Sequence, residues 1–437
     1  MLQRLTNGSV KLVERYLPDP YVLVLLLSTV VFVAAIAFEG QSPLQMVQYW
    51  GDGFWNLLTF AMQMVLVLVT GFVLASTPFF RTILKALARL AKSPGQAVIL
   101  VTLVSLAAAW INWGFGLVIG ALFARQVARE VPSVNYPLLI ASAYSGFMVW
   151  HGGLAGSVPL VIATEGHFTA DMIGVIPTSE TIFAPFNLLL VLAMFIVIPV
   201  VNRLMMGKDG KHVDATKLGD EAPLPPLKND RPAEKLENSL ILAQAIGVMG
   251  VIFAGYYFLA RSGSLNLNIV NFMFLILGII LHGRPSRFIA SATEAVKGST
   301  GIIIQFPFYA GIMAMMVDSG LASSLSNWFA SVANPTTFPL FTFLSAGIVN
   351  IFVPSGGGQW AVQAPIMLEA GAALGVEPAR TAMAVAWGDA WTNMIQPFWA
   401  LPALAIAGLS AKDVMGYCLI VLLVTGVVLG FGLMLLP

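Results

Sequence analysis

Charge is what this sequence has least of. Only 10% of its 437 residues are Asp, Glu, Lys or Arg, against about 25% in a soluble globular domain, which excludes such a domain. A formal net charge of +1 leaves no electrostatic case for nucleic acid or for a strongly charged partner. The single cysteine, Cys418, cannot form an intrachain disulfide, and its place in the last apolar run makes it a buried thiol rather than a reactive one. Histidines occur at 151, 167, 212 and 282, without the spacing of metal ligands. There is no His-Glu-x-x-His metal motif and no Gly-x-Ser-x-Gly nucleophile elbow, so the residues point away from an enzyme.

What is abundant is apolar. The residues AVILMFWYC make up 58% of the chain and the mean hydropathy is +0.85. At about 20 residues per membrane helix, this is the composition of an all-α polytopic membrane protein. The first run, residues 21–38, is too long for the core of a signal peptide and is expected to remain as a membrane helix. Further apolar runs cover 54–76, 96–123, 136–164, 182–201, 239–259, 267–282, 300–317, 336–353, 359–374, 381–407 and 414–436.

Basic residues decide which runs cross, because short cytoplasmic loops are enriched in Lys and Arg. If 96–130 is a hairpin that enters and leaves on the cytoplasmic side, and 336–375 one that enters and leaves from outside, then all 22 basic residues except Arg261 and Arg380 fall on the cytoplasmic side. Treating each hairpin as a single crossing scatters them over both sides. Length agrees, since the stretch between Lys92 and Arg125 is shorter than the roughly 40 residues two crossings need. The sequence therefore predicts about ten crossings plus two re-entrant hairpins, with the N terminus cytoplasmic and the C terminus outside.

The same order of elements occurs twice: two spans, a hairpin, a span broken by Gly or Pro, and a final span. Residues 1–202 are predicted to form a first repeat, with hairpin 96–130 and broken helix 136–164. Residues 264–437 form a second of inverted orientation, with hairpin 336–375 and broken helix 381–408. Between them lie a cytoplasmic linker, 203–238, and a connecting span, 239–263. Residues 79–90, with basic residues at regular intervals, read as an interfacial amphipathic helix.

Polar groups and helix breakers meet at membrane depth in four places. The first hairpin tip contains Trp110, Asn112, Trp113, Gly114, Phe115 and Gly116; the second contains Asn350, Pro354, Ser355, Gly356, Gly357, Gly358 and Gln359. Three consecutive glycines cost a continuous helix about 3 kcal/mol, so the helix is expected to break across them and to free backbone N–H groups for a ligand. The broken spans add Ser145, Gly146, His151, Gly152, Gly153, Gly156, Ser157 and Pro159 in one half and Gly388, Asp389, Thr392, Asn393, Gln396 and Pro397 in the other. Paired discontinuous segments of this kind are the sequence pointer to the central site of a secondary transporter. Each residue also has a plain structural explanation: glycines permit close packing, asparagines cap helices, and a lone His can be a satisfied core donor. Asp389 is the hardest to dismiss, because an intramembrane carboxylate is costly. Glu369 reads as structural.

The run from Asn350 to Met367 with its Pro-Ser-Gly-Gly-Gly-Gln-Trp core, the segment Trp387 to Pro397 and the opening Tyr16 to Tyr21 resemble the short-chain fatty acid transporter family, which includes the bacterial acetoacetate and butyrate permeases. The resemblance extends over essentially the whole chain. It implies uptake of short monocarboxylates across a bacterial inner membrane. It also implies kinship with a wider ion-transporter superfamily of inverted-repeat carriers, built from a mobile transport domain and a dimeric scaffold. Those relatives carry Ser-Asn-Thr at their tips for sodium and carboxylate; here the tips offer Asn112 in one and Ser355 with Gln359 in the other.

The reading is thus an elevator-type secondary carrier for acetate, butyrate or acetoacetate, acting as a homodimer in the bilayer. Its substrate-binding candidates are Asn112, Trp113, Gly114, Gly116, Ser145, His151, Gly152, Gly153, Asn350, Ser355, Gly356, Gly357, Gly358, Gln359, Asp389, Thr392, Asn393 and Gln396. Trp113, Phe115 and Trp360 are candidates for an apolar wall. No cofactor is expected beyond a coupling ion, either a proton on His151 or Asp389 or sodium near Asn112, Asn350 and Asn393. A cation or proton antiporter and a dicarboxylate carrier on the same scaffold remain alternatives.

Overall fold

A computed structural model describes residues 18–207 and 230–436. The basic N-terminal residues Arg4, Lys11 and Arg15 and most of the expected linker lie outside the described residues. Among the described residues the regular structure is entirely helical. In chain order the helices are α1 (Pro20–Glu39), α2 (Pro43–Gly53), α3 (Leu58–Ala75), α4 (Pro78–Ala88), α5 (Pro94–Ile111), α6 (Trp113–Glu130), α7 (Tyr136–Ser145), α8 (Ser157–Ile162), α9 (Ala170–Ile173) and α10 (Pro185–Leu204). They continue as α11 (Pro232–Glu237), α12 (Leu240–Leu259), α13 (Leu267–His282), α14 (Pro285–Val296), α15 (Thr300–Asp318), α16 (Leu321–Val332), α17 (Phe338–Phe352), α18 (Gly356–Ala373), α19 (Pro378–Thr392), α20 (Pro397–Ala407) and α21 (Ala411–Leu435).

Proline sets many of the starts. Pro20, Pro43, Pro78, Pro94, Pro185, Pro285 and Pro378 each sit in the first two helical positions, where the missing N–H is no loss and the ring presets φ. Gly40 and Gly283 end α1 and α13 in the left-handed region, at φ 66° and 68°, the helix-stopping conformation that glycine adopts without a Cβ penalty. Eight helical stretches among the described residues are long and apolar enough to cross a membrane, and two shorter apolar helices, Leu267–His282 and Phe338–Ile351, join them. Exposed Ile241, Met249 and Ile252 on α12 and Val30 and Val33 on α1 are the faces such a helix offers to lipid. The amphipathic stretch expected near 79–90 is the helix α4.

Two helix pairs turn back on themselves. α5 and α6 pack along one another and meet at Asn112, whose extended backbone (φ −159°, ψ 130°) closes one helix and opens the next. α17 and α18 meet at Val353, Pro354 and Ser355. Here one expectation is corrected: the three glycines do not break the helix but form the first turn of α18, with Ser355 as its N-cap. The break falls just before them. First-turn N–H groups have no intrahelical acceptor in any case, so glycine's usual penalty is smallest at this position.

Two further helices are interrupted by 3₁₀ turns. After α7 the chain runs through a 3₁₀ stretch, Gly146–Gly152, before α8 begins at Ser157. After α19 it runs through another, Asn393–Ile395, before α20 begins at Pro397. Beyond α8 the following loop is tied by His167, whose Nε2 bonds Gly174 O at 2.8 Å and whose Nδ1 bonds the Thr169 hydroxyl at 2.9 Å; burial pushes this imidazole below its ordinary pKa.

The end of the chain is held by Arg380. Its guanidinium donates to the carbonyls of Leu433 at 2.5 Å and Leu436 at 2.6 Å and lies over the Phe186 ring at 4.3 Å. A cation there satisfies the carbonyls that the last turn of α21 leaves open. Arg380→Met should lower the unfolding temperature in detergent, by the equivalent of about 1–3 kcal/mol, without changing the helix content seen by circular dichroism.

Candidate functional site

The structure gathers the second hairpin tip and both broken spans into one buried junction. At its centre, Nδ1 of His151 lies 3.1 Å from Oδ2 of Asp389, and the two side chains are 0% and 1% exposed. The other ring nitrogen of His151, Nε2, accepts the backbone N–H of Val158 at 3.1 Å, at the start of α8. An N–H already points at Nε2, so Nδ1 carries the proton and donates it to Asp389. His151 is then the neutral tautomer. Oδ1 of Asp389 is buried and, among the described residues, has no hydrogen-bond partner.

Asn350, in the last turn of α17, ties the first arm of the hairpin to the broken span. Its amide nitrogen donates to the Asp389 carbonyl at 2.7 Å and to the Thr392 hydroxyl at 2.9 Å, while Gln396 donates to its carbonyl at 2.5 Å. Gln396 also accepts from Asn393 at 3.3 Å. Asn393 takes the Trp150 indole N–H on its side-chain oxygen at 3.0 Å and the Tyr144 hydroxyl on its carbonyl at 2.6 Å. On α18, Gln359 donates to Ala346 O at 2.8 Å and to Gln363 at 3.0 Å. The side-chain oxygens of Asn350 and Gln359, like Oδ1 of Asp389, are buried without a partner.

The tip touches this network directly. A Cβ added to Gly356 would lie 2.6 Å from Cε1 of His151 and 2.7 Å from Cη2 of Trp150. Gly357 and Gly358 abut Phe60, Phe306 and Tyr309 of α3 and α15, where an added Cβ would come within 2.6 Å and 2.5 Å of a ring. Ser355, half-buried, accepts the Gly358 N–H at 3.4 Å.

The first tip arrives through its aromatics. Trp113 lies 6.0 Å from Trp150 between ring centroids, and Trp150 stacks on His151 at 4.0 Å and 12° and on Phe147 at 5.5 Å and 8°. Asn112 itself is a cap: its side-chain oxygen accepts from Phe115 N–H at 2.9 Å and abuts Gly71. Gly114 and Gly116 are close approaches to Leu68 and Ala109. Phe115 packs on Phe80 of α4, 4.8 Å away, outside the junction. Trp360 is fully buried on α18. Ser145 belongs to a separate cluster, in which Asn202 donates to it at 2.9 Å and to Thr102 at 3.0 Å. Gly153 is pressed against the Trp110 carbonyl, 2.2 Å from where a Cβ would sit. Glu369 accepts from Ser323 of α16 at 3.0 Å.

One organising residue was not singled out from the sequence. Asn187, near the start of α10, donates to Gly152 O at 3.0 Å and Ile182 O at 2.8 Å and accepts from the Trp387 indole at 2.9 Å. It locks the first broken span to α19. Its signal was an amide two residues after the proline that opens an apolar run.

Among the described residues no group of three or more His, Cys, Asp or Glu side chains could hold a metal ion. A cavity of about 840 Å³ opens beside the end of α8, lined by Thr164, Glu165, Arg261, Asn266 and Tyr257 among others; it includes none of the tip residues. Among the described residues, the segments that form the junction, 146–162, 353–359 and 388–407, contain no Lys or Arg.

Helical hairpins and paired broken helices meeting at a buried, charge-poor junction define a multi-span membrane transporter. The chain matches the family described as short chain fatty acid transporter over residues 1–436, and it belongs to that family. Two curated relatives bear the name "Putative short-chain fatty acid transporter". The one from Escherichia coli (strain K12) is 46% identical over 439 residues and the one from Haemophilus influenzae 43% over 445, each alignment spanning 99% of both chains. Among solved structures the fold is similar to the Alcanivorax borkumensis YdaH transporter, at a TM-score of 0.59 and 16% identity over 95% of this chain and 98% of that one. It is also similar to Neisseria gonorrhoeae MtrF, at 0.50 and 15% over 99% and 96%.

Proposed function

We propose that this chain takes up short-chain monocarboxylates across the inner membrane by ion-coupled alternating access, with the N terminus cytoplasmic and the C terminus outside. The observation that carries the reading is the seating of the Gly356 turn on His151 and Trp150. It sets the open N–H groups of a half-helix beside a junction whose own segments hold no Lys or Arg. Helix N-terminal dipoles and free N–H groups favour a small anion, and without a guanidinium clamp they suit one carboxylate better than two. The aromatic set Trp113, Phe147 and Trp150 supplies an apolar surface for a short alkyl tail.

The matched order of hairpin and broken span in the two halves supports a pair of inverted repeats. An elevator-like movement of those elements past α3 and α15 fits the contact of the tip glycines with Phe60, Phe306 and Tyr309. A homodimer remains our expectation for the scaffold. The test is uptake of labelled acetoacetate into proteoliposomes of the full chain. Propionate and butyrate should compete and succinate should not. Equal competition by succinate would instead establish the dicarboxylate reading, and indifference to all carboxylates would end both.

A further inference from the structure

We propose that the cation travelling with the carboxylate is a proton carried on Oδ1 of Asp389, and that His151 is a fixed positioning donor rather than the carrier. This rests on the carrier reading above and names its coupling ion and the atom that holds it.

The geometry separates the two partners of the pair. Both ring nitrogens of His151 are in use: Nδ1 bonds Oδ2 of Asp389 at 3.1 Å and Nε2 takes the Val158 N–H at 3.1 Å. A second proton on the ring would set one N–H against another at Nε2. The carboxyl has room instead, since Oδ1 is buried and unpartnered. A proton placed there forms an O–H bond and removes the charge while the bonds to His151 and Asn350 stay in place.

The surroundings disfavour a metal ion. Several backbone carbonyls around the pair already accept from side chains: Asp389 O from Asn350, Asn350 O from Gln396, Asn393 O from Tyr144, Ala346 O from Gln359 and Gly152 O from Asn187. Beyond Oδ1 of Asp389 and the side-chain oxygens of Asn350 and Gln359, a sodium ion would have to complete its oxygen shell from groups engaged elsewhere. A proton needs one oxygen.

The same geometry explains why proton and substrate would move together. One imidazole ring lies between the Gly356 turn and Asp389. A substrate carboxylate at that turn and an ionised Asp389 would be two buried negative charges with no cation between them, and each disfavours the other. The elements packed on α19 offer little else that titrates. α17, α8 and the 3₁₀ turn after α19 bring no ionisable side chain, the 3₁₀ stretch before α8 brings His151 alone, and α18 brings Glu369 far along its length. α21 brings Lys412, Asp413, Tyr417 and Cys418 in its first turns, while Glu377 and Arg380 lie at the start of α19 itself.

The cycle balances. Water outside gives a proton to Oδ1, the monoanion binds, both are released inside as the O–H bond breaks and the proton returns to water, and the empty carrier goes back with Asp389 ionised. One negative charge crosses in each half-cycle, as substrate inward-bound and as Asp389 on return, so net transport is electroneutral.

The experiment uses the full chain in proteoliposomes with the membrane potential clamped, labelled acetoacetate as probe and protein-free liposomes as the leak control. An acidic exterior should drive accumulation in the complete absence of sodium, and adding substrate should make the unbuffered exterior more alkaline. Asp389→Asn should bring the steady-state inside-to-outside ratio down to one under the same gradient, at whatever rate the variant exchanges label. Should that variant not exchange at all, Asp389→Glu decides: coupled accumulation with a displaced pH midpoint supports the assignment, and an unchanged pH profile overturns it. His151→Gln should keep proton-driven accumulation with a shifted pH profile; loss of coupling there with exchange intact would make the imidazole the carrier and overturn the proposal. Accumulation driven by sodium and indifferent to pH would overturn it as well. Absence of any acetoacetate exchange by the wild-type protein is a different failure, that of the carrier reading itself.

Discussion

Gly356→Leu should reduce uptake roughly ten- to a hundredfold while leaving a folded, monodisperse protein. The side chain would enter at a point where the second hairpin tip meets the first broken span, with its Cβ 2.6 Å from His151 and 2.7 Å from Trp150. Neither ring is free to yield. His151 is fixed by Asp389 and Val158, and Trp150 by its bond to Asn393 and its stack on Phe147. Overpacking such a contact costs about 1–3 kcal/mol, and each 1.36 kcal/mol in a barrier is about tenfold in rate. The effect is local to the tip, so the rest of the bundle should survive. Gly255→Leu is the control, since nothing lies within 4 Å of a Cβ added there; it should transport like the wild type. Uptake rates per molecule, set beside gel-filtration profiles, check both.

Asn187→Ala should instead be lost mainly through stability. Removing the amide leaves the carbonyls of Gly152 and Ile182 and the indole N–H of Trp387 without partners, all in a buried setting. Each unsatisfied buried group costs about 1–3 kcal/mol, so the sum is on the order of several kcal/mol, a large part of the stability of an ordinary domain. The expected result is a strongly lowered unfolding temperature and poor yield. Trp387→Phe, which strands only the Asn187 oxygen, should be milder. If Asn187→Ala unfolds at the wild-type temperature, the junction is not held together in this way.

These two positions show how unevenly the site could be read in the sequence. Gly356 stood out because three adjacent glycines in a membrane segment contradict a helix interior, and Asp389 because a carboxylate there is costly. Both belong to the junction. What the glycine run did not disclose was that its residues begin a helix rather than interrupt one, since a first turn and a break use the same residues and differ only in whether Ser355 acts as a cap. Asn112 looked as promising as Asn350. The folded chain separates them: the oxygen of Asn112 is spent on capping α6, while that of Asn350 is left open. Asn187 drew no notice because a lone amide in an apolar run has no local meaning until its partners are known.

The sequence by itself determined that this chain is a bundle of membrane helices poor in charge, about where its long apolar helices run, and that four interruptions gather the polar residues. Those are properties of composition and of neighbouring residues, in which proline, glycine and apolar runs act over a few positions. Only the tertiary structure decided which of the four interruptions share hydrogen bonds, that His151 faces Asp389 across 238 positions of chain, and which oxygen of that pair is left without a partner. Such facts depend on how far apart packed helices lie and on which donors reach first. A buried acceptor is open only when every neighbouring donor has found another partner, and that is settled by the whole fold at once.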